Sequence, residues 1–188
     1  MLEEKIKNIF AENLDIAQKA VALAGPTQLA ADAICETFRR GNKVFICGNG
    51  GSAAEAQHFA GELVGRFKFD RKGLPVIALG TNAAVLTALS NDYDYSMSLA
   101  RELEALGQAG DVLIALSTSG ASKNILEAVK IAKENKMKTI GFSGNRGALK
   151  DMVDLPMAVD SASTPRIQET HLLLIHIISE IVEEKIFS

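Results

Sequence analysis

Cysteine is nearly absent, with 2 in 188 residues, Cys35 and Cys47. Both lie in apolar segments and form no zinc-ligand or redox spacing, so they read as small buried hydrophobes in a reducing compartment. No apolar run reaches membrane-spanning length. Glu3, Glu4, Lys5 and Lys7 interrupt the first segment, where a signal peptide would need an apolar stretch. A cytoplasmic protein with no membrane contact is expected. Basic charge is not in excess either: the formal net charge of −3 argues against a nucleic-acid-binding surface. The chain lacks Gly-x-x-x-x-Gly-Lys-Ser/Thr, which excludes a P-loop nucleotidase. Its glycine-rich turn at Gly48–Ser52 also fails the G-x-G-x-x-G spacing of dinucleotide sites.

What is present is an ordinary globular composition, 47% hydrophobic and 23% charged. One domain over residues 1–188 is expected, with a helical extension at 1–40, an α/β core at 43–160 and a closing helix at 164–188. Leu2, Ile6, Ile9, Phe10, Leu14, Ala17, Ala20, Val21 and Ala24 have helical spacing. Gly25-Pro26 is expected to end that helix, and a second then runs to Arg40. Strands are predicted at 44–47, 75–79, 112–116, 139–142 and 155–159, separated by helical segments, with a polar loop at Asn91–Tyr95. Near-continuous apolar strands alternating with helices imply a parallel sheet covered on both faces, wound in both directions by right-handed crossovers. Ligands of such a sheet bind outside the carboxyl ends of its strands.

Two turns lie where that rule looks. Gly48-Asn49-Gly50-Gly51-Ser52 follows the first strand, and Ser52 with Glu55 reads as a capping box opening the next helix. Free N–H groups and the positive end of the helix dipole make such a turn an anion site, although many α/β folds need glycine there only for its backbone freedom. Ser117-Thr118-Ser119-Gly120-Ala121-Ser122 follows the third strand. Its four hydroxyls around a glycine favour a phosphate held without lysine or arginine, over turn formers alone. His58 and Glu62, four apart, share one helix face; that spacing suits a solvated pair as well as metal ligands. The segment from Thr164, with Pro165 at its first position, contains Gln168, His171 and His176 in a middle that is apolar nearly all round. In a small domain, another subunit is the expected cover for such a helix.

Taken together, GNGGS with AQHFAGELVGRF, the Asn91-Asp92 pair, AGDVLIALSTSGAS, and RIQETH with His176 resemble the phosphoheptose isomerases of the sugar-isomerase (SIS) domain family. The serine-rich turn is common to SIS domains. The HFAGE segment and a histidine eight residues after the glutamine of RIQ are more specific. The resemblance implies a flavodoxin-like, doubly wound five-stranded sheet with two leading helices and a long C-terminal helix. It implies a cytoplasmic homotetramer that interconverts sedoheptulose 7-phosphate and D-glycero-D-manno-heptose 7-phosphate for surface polysaccharide. Ser117, Thr118, Ser119 and Ser122 would hold the phosphate, and Asn49, Gly50, Gly51, Asn91, Asp92 and Gln168 the rest of the sugar. Glu62, which would also touch substrate, and His176 match the acid–base pair; His58, Glu62, Gln168 and His176 match a zinc site. Pro165 stands where some relatives carry an acidic residue, so any role of that acid is absent here. Non-catalytic relatives, which bind the replication initiator DnaA or sense sugar phosphates, offer the competing reading; the DnaA-binding ones depart from the pattern at the positions of Glu62 and His176.

Helix geometry bears on this ligand set. Gln168 and His176 are eight residues apart, a rise of about 12 Å on an α-helix, whereas metal–ligand bonds are only about 2 Å. Either the chain is not helical at Gln168, or one ligand comes from a neighbouring subunit.

Overall fold

The computed structural model describes Met1–Ser188. Its helices are α1 (Leu2–Ala20), α2 (Ala24–Arg39), α3 (Gly51–Val64), α4 (Ala83–Asp92), α5 (Ser98–Leu106), α6 (Lys123–Glu134), α7 (Leu149–Met152) and α8 (Thr164–Phe187). Its strands are β1 (Val44–Cys47), β2 (Val76–Ala78), β3 (Val112–Ser117), β4 (Lys138–Ser143) and β5 (Leu155–Ala158). All pairings are parallel and the order is β2-β1-β3-β4-β5, the flavodoxin-like winding.

Strand alternation sorts the core into two layers. Val44, Ile46, Val112, Ile114, Leu116, Ile140 and Phe142 face α2, α3 and α8. Phe45, Cys47, Leu113 and Ala115 face the other way, against residues of α5, α6 and α7. Because both faces are covered, β1 and residues 112–116 of β3 are apolar at every position rather than at every second one. Cys35 and Cys47 are fully buried and unpaired, and burial pushes the Cys47 thiol up to about 12, which leaves it inert.

Four local expectations fail. Gly25-Pro26 does not end the first helix. The break is a 3₁₀ turn at Val21–Leu23, and Pro26 sits in the first turn of α2, where backbone N–H groups have no intrahelical acceptor to lose. Asn91 and Asp92 are not in a loop but close the last turn of α4, whose N-cap is Asn82. The capping box at Ser52 is also absent, because α3 already begins at Gly51 with Gly50 as its cap, at φ 55°. Ser52 and Glu55 are instead buried inside the first turns. Similarly, α8 starts one residue early, with Ser163 as cap and Thr164 in the helix.

The switch in winding direction falls between β1 and β3, which are neighbours with Cys47 beside Ala115. The two turns singled out in the sequence leave these strands side by side. No helix is long and apolar enough to cross a membrane.

Candidate active site

A polar cavity of about 240 Å³ opens at that switch point, lined by Asn49, Gly51, Ser52, Ser117, Thr118, Ser122 and Gln168. Two glycines let backbone and side chains close in on it. Gly120 has φ 63° and packs so tightly on the Arg146 carbonyl that a Cβ there would overlap it. A Cβ on Gly51 would overlap the Gln168 amide, the far end of a flexible side chain, so glycine here lets that amide lie against the turn. The Ser117 Oγ lies 3.0 Å from the Ser122 Oγ and 3.4 Å from the Ser119 Oγ, and the Ala121 N–H donates to the Ser119 Oγ at 3.2 Å. These hydroxyls, with the free N–H groups opening α6, form an anion cradle without a cation.

The side chain of Asn49 is already engaged. It exchanges amide hydrogen bonds with buried Asn124 at 2.9 and 2.8 Å and accepts one from the Tyr95 hydroxyl at 2.8 Å. Its backbone is what remains for a ligand. Asn91 and Asp92 are exposed, hydrogen-bonded to each other at 2.9 Å, and do not line the cavity.

From this cavity α3 and α8 run side by side in the same direction, and their facing residues make rungs. Gly51 meets Gln168 at the first. Glu55 meets His171 at the second, where both residues are buried and the nearest oxygen and nitrogen are 3.9 Å apart. Glu55 Oε2 and His171 Nδ1 have no hydrogen-bond partner. Burial pushes the Glu55 carboxyl up to about 7, and burial pushes the His171 imidazole down to about 4. The His171 Nε2 contacts the Ser143 carbonyl at 3.3 Å.

The third rung joins His58, Glu62 and His176. His58 Nε2 lies 2.8 Å from His176 Nε2 and 3.0 Å from Glu62 Oε1, and one potential ligand atom from each residue falls within 4.8 Å of the others. Two imidazole nitrogens and a carboxylate oxygen so close fit zinc, whose catalytic sites take three protein ligands and leave a position open. Gln168 is not in this group. The helix is regular from Thr164 to Phe187, so the first escape from the spacing problem, an irregular chain at Gln168, is removed. Arg166, from the same RIQ segment, serves α1: it donates to the Ile9 carbonyl at 3.2 Å and to Glu169 at 2.7 Å.

Sequence reasoning missed the Glu55–His171 rung, although His171 sits in the buried stripe Ile167–His171–Leu174–Ile178 that helical spacing predicts. It also missed a fourth rung at the far end, where Glu183 of α8 meets the segment following α3.

The SIS domain family model matches residues 10–144. The phosphoheptose isomerase of Synechocystis is 52% identical over 165 residues, spanning 87% of this chain and 85% of that protein. The Campylobacter concisus phosphoheptose isomerase is 48% identical over 98% of both chains. The structure of the phosphoheptose isomerase from Neisseria gonorrhoeae superposes with a TM-score of 0.93 at 40% identity, covering 98% of this chain and 100% of that one. That from Francisella tularensis gives 0.95 at 36% identity over 98% and 99%.

Proposed function

The chain belongs to the phosphoheptose isomerases of the SIS-domain family, and from that premise we propose that it interconverts sedoheptulose 7-phosphate and D-glycero-D-manno-heptose 7-phosphate. The observation that carries this is the carboxylate–imidazole group of Glu62 and His176, brought together from sequence positions 114 apart. Aldose–ketose isomerisation moves a proton between neighbouring carbons. Glu62 removes it from the carbon bearing the hydroxyl, the electron pair forms the carbon–carbon double bond of an enediol, and the former carbonyl oxygen takes a proton from His176. Return of the proton to the other carbon, with loss of the opposite hydroxyl proton, completes the exchange. The Ser117–Ser122 cradle fixes the phosphate, and Asn49, Gly50, Gly51 and Gln168 fix the sugar; Asn91 and Asp92, which lie outside the cavity, take no part within one chain. His58, Glu62 and His176 would hold a zinc ion, which when bound polarises the sugar oxygens as a Lewis acid. The product feeds heptose synthesis for surface polysaccharide, in the cytoplasm.

Mixing pure protein with sedoheptulose 7-phosphate and following the aldose tests the reaction. Conversion is expected; none, with and without added zinc, would leave only a DnaA-binding or sugar-phosphate-sensing role. The presence of both Glu62 and His176 argues for catalysis.

The proposal extends to assembly as a homotetramer with shared sites. Support comes from the exposed apolar residues of α1, Leu2, Phe10 and Leu14 among them, and from an apolar groove of about 630 Å³ between α1, α2 and α8. Gln168 is about 12 Å along α8 from His176, so a ligand set containing both needs two chains. Because Glu62 and His176 of one chain share a rung, these two are not what an interface divides. Adding inactive Glu62→Gln subunits to Gln168→Ala subunits under exchange conditions should therefore bring back activity with the parental KM. Glu62→Gln with His176→Ala should not. Failure of the first mixture, with exchange proven, would confine the site to one chain.

A further inference from the structure

After α3 the chain turns back through residues 65–73 to reach β2, and this segment is pinned by a buried ion pair. Arg71 Nε donates to Glu183 Oε1 at 2.9 Å, and the two side chains are 2% and 1% exposed. The rest of the guanidinium fans onto the open end of α3. Nη2 donates to the Glu62 carbonyl at 2.9 Å, and Nη1 donates to the carbonyls of Leu63 at 2.7 Å and Gly65 at 2.8 Å. The two carboxylate oxygens of Glu183 accept from the backbone N–H of Phe67 at 3.0 Å and of Lys68 at 2.7 Å. Phe67, held this way, lays its ring near-parallel to that of His176, with centroids 5.9 Å apart and an angle of 23°.

We propose that Arg71, Glu183 and Phe67 are positioning residues for the proton-transfer group, a role that rests on the reaction proposed above. Arg71 fixes the backbone from which Glu62 projects. Glu183 fixes the backbone of Phe67, and Phe67 fixes the plane of the His176 imidazole. A ring free to turn about its side-chain bonds would present Nε2 toward His58 and Glu62 only part of the time. The stacked phenyl hinders that rotation at one face of the ring, and the His58 ring meets His176 edge-on at 72°. The carboxylate and the imidazole are thus each held by a neighbour, and both neighbours hang on one ion pair. A charge pair this deep is not explained by stability alone, since apolar residues of similar volume stabilise such a site as well or better.

The test compares the parent with Phe67→Ala, Glu183→Gln and the double variant, reading kcat, KM and the zinc affinity of metal-free protein against a competing chelator. Phe67 is half-buried and outside the ion pair, so its truncation separates positioning from folding. Phe67→Ala should lower kcat and weaken zinc by about tenfold each, the scale seen when a group supporting a metal ligand is lost. Its KM should stay within about threefold, because the phosphate cradle is untouched. Glu183→Gln should do the same and lower the thermal midpoint as well. The double variant should be no slower than the worse single one, because both act on the same ring. The proposal is overturned if Phe67→Ala leaves both kcat and zinc affinity at parental values, or if Glu183→Gln lowers the midpoint alone. Should the parent itself convert no sedoheptulose 7-phosphate, the proposed reaction fails while the zinc arm still decides the positioning.

Discussion

Two ends of the same helix–helix seam carry different kinds of polar group. At the Gln168 end the groups are backbone N–H and short hydroxyls, fixed by strand ends and by the tight turn at Gly120, where a Cβ would overlap backbone. At the His176 end they are long side chains on helix surfaces, with His58 41% exposed and Glu62 21%. The first end is rigid because the sheet is rigid. The second must be held by other side chains: Phe67 against one ring, and Arg71 under the carboxylate's backbone. A ground-state anion can be held by the frame of a fold, whereas groups that move protons need tips that the frame alone does not fix. Substitutions at the two ends should therefore separate into losses of turnover and losses of binding.

The largest effect belongs to the His176 end. Glu62→Gln keeps the size of the side chain and removes its basicity, so kcat should fall by at least about 100-fold, the low end for a general acid–base residue, with KM nearly unchanged. Steady-state kinetics on sedoheptulose 7-phosphate checks this; a near-parental kcat would remove Glu62 from proton transfer. At the other end, Ser119→Ala and Ser122→Ala should each raise KM by about tenfold, the worth of one hydrogen bond to a charged group, and leave kcat alone. The phosphate is held equally before and during the reaction. A fall in kcat at constant KM would contradict the cradle assignment.

Gly51→Ala sharpens the comparison at the first rung. The new methyl group overlaps a flexible amide rather than backbone, so the fold should survive while Gln168 swings out of the cavity. A KM increase of roughly fivefold is expected, and it should not add to that of Gln168→Ala, since both remove one contact. Additive losses would mean that Gly51 acts on its own.

How far each end was legible in the sequence follows from the same contrast. Backbone sites announce themselves locally: the GNGGS and STSGAS turns each follow an apolar strand, and the strand rule puts them together. The central strands β1 and β3 were readable because a covered parallel strand is a continuous apolar run, β2, β4 and β5 from their alternation with helices, and the double winding from right-handed crossovers. Asn91 and Asp92 were misplaced because a turn-rich composition also suits the last turn of a helix. Side-chain sites announce themselves poorly. His58 and Glu62 share a face, but their partner is 114 residues from Glu62, and family resemblance rather than spacing supplied it. Arg71 and Glu183 are 112 residues apart, and in sequence each looks like an ordinary surface charge. Only the buried stripe of α8 carried a local sign that His171 faces inward.

That middle rung lies between the two ends and touches neither reaction nor phosphate, so its effect on catalysis should be the smallest. Its signature is in stability. The folded chain keeps the Glu55 carboxyl protonated up to about 7, whereas the unfolded chain releases that proton in the ordinary glutamate range. Between those limits the folded state binds more protons, so this group costs stability progressively as pH rises, and the cost is complete above the folded value. His171 has the opposite sign. Its folded value is depressed to about 4, so the unfolded state binds the extra proton below the ordinary histidine range, and stability rises with pH through that window. The two slopes oppose each other in mildly acidic solution, and only the cost of Glu55 continues to rise toward neutrality. Glu55→Gln removes that cost and leaves the gain from His171. Measured by denaturant unfolding, the stability of the variant relative to the parent should therefore be more favourable at about pH 8 than at about pH 5, by about 2 kcal/mol. Comparing variant with parent at each pH cancels the other titrating groups. A difference that does not change between the two conditions would mean that Glu55 is ionised in the folded chain throughout, and that the rung is an ion pair rather than two neutral groups facing each other.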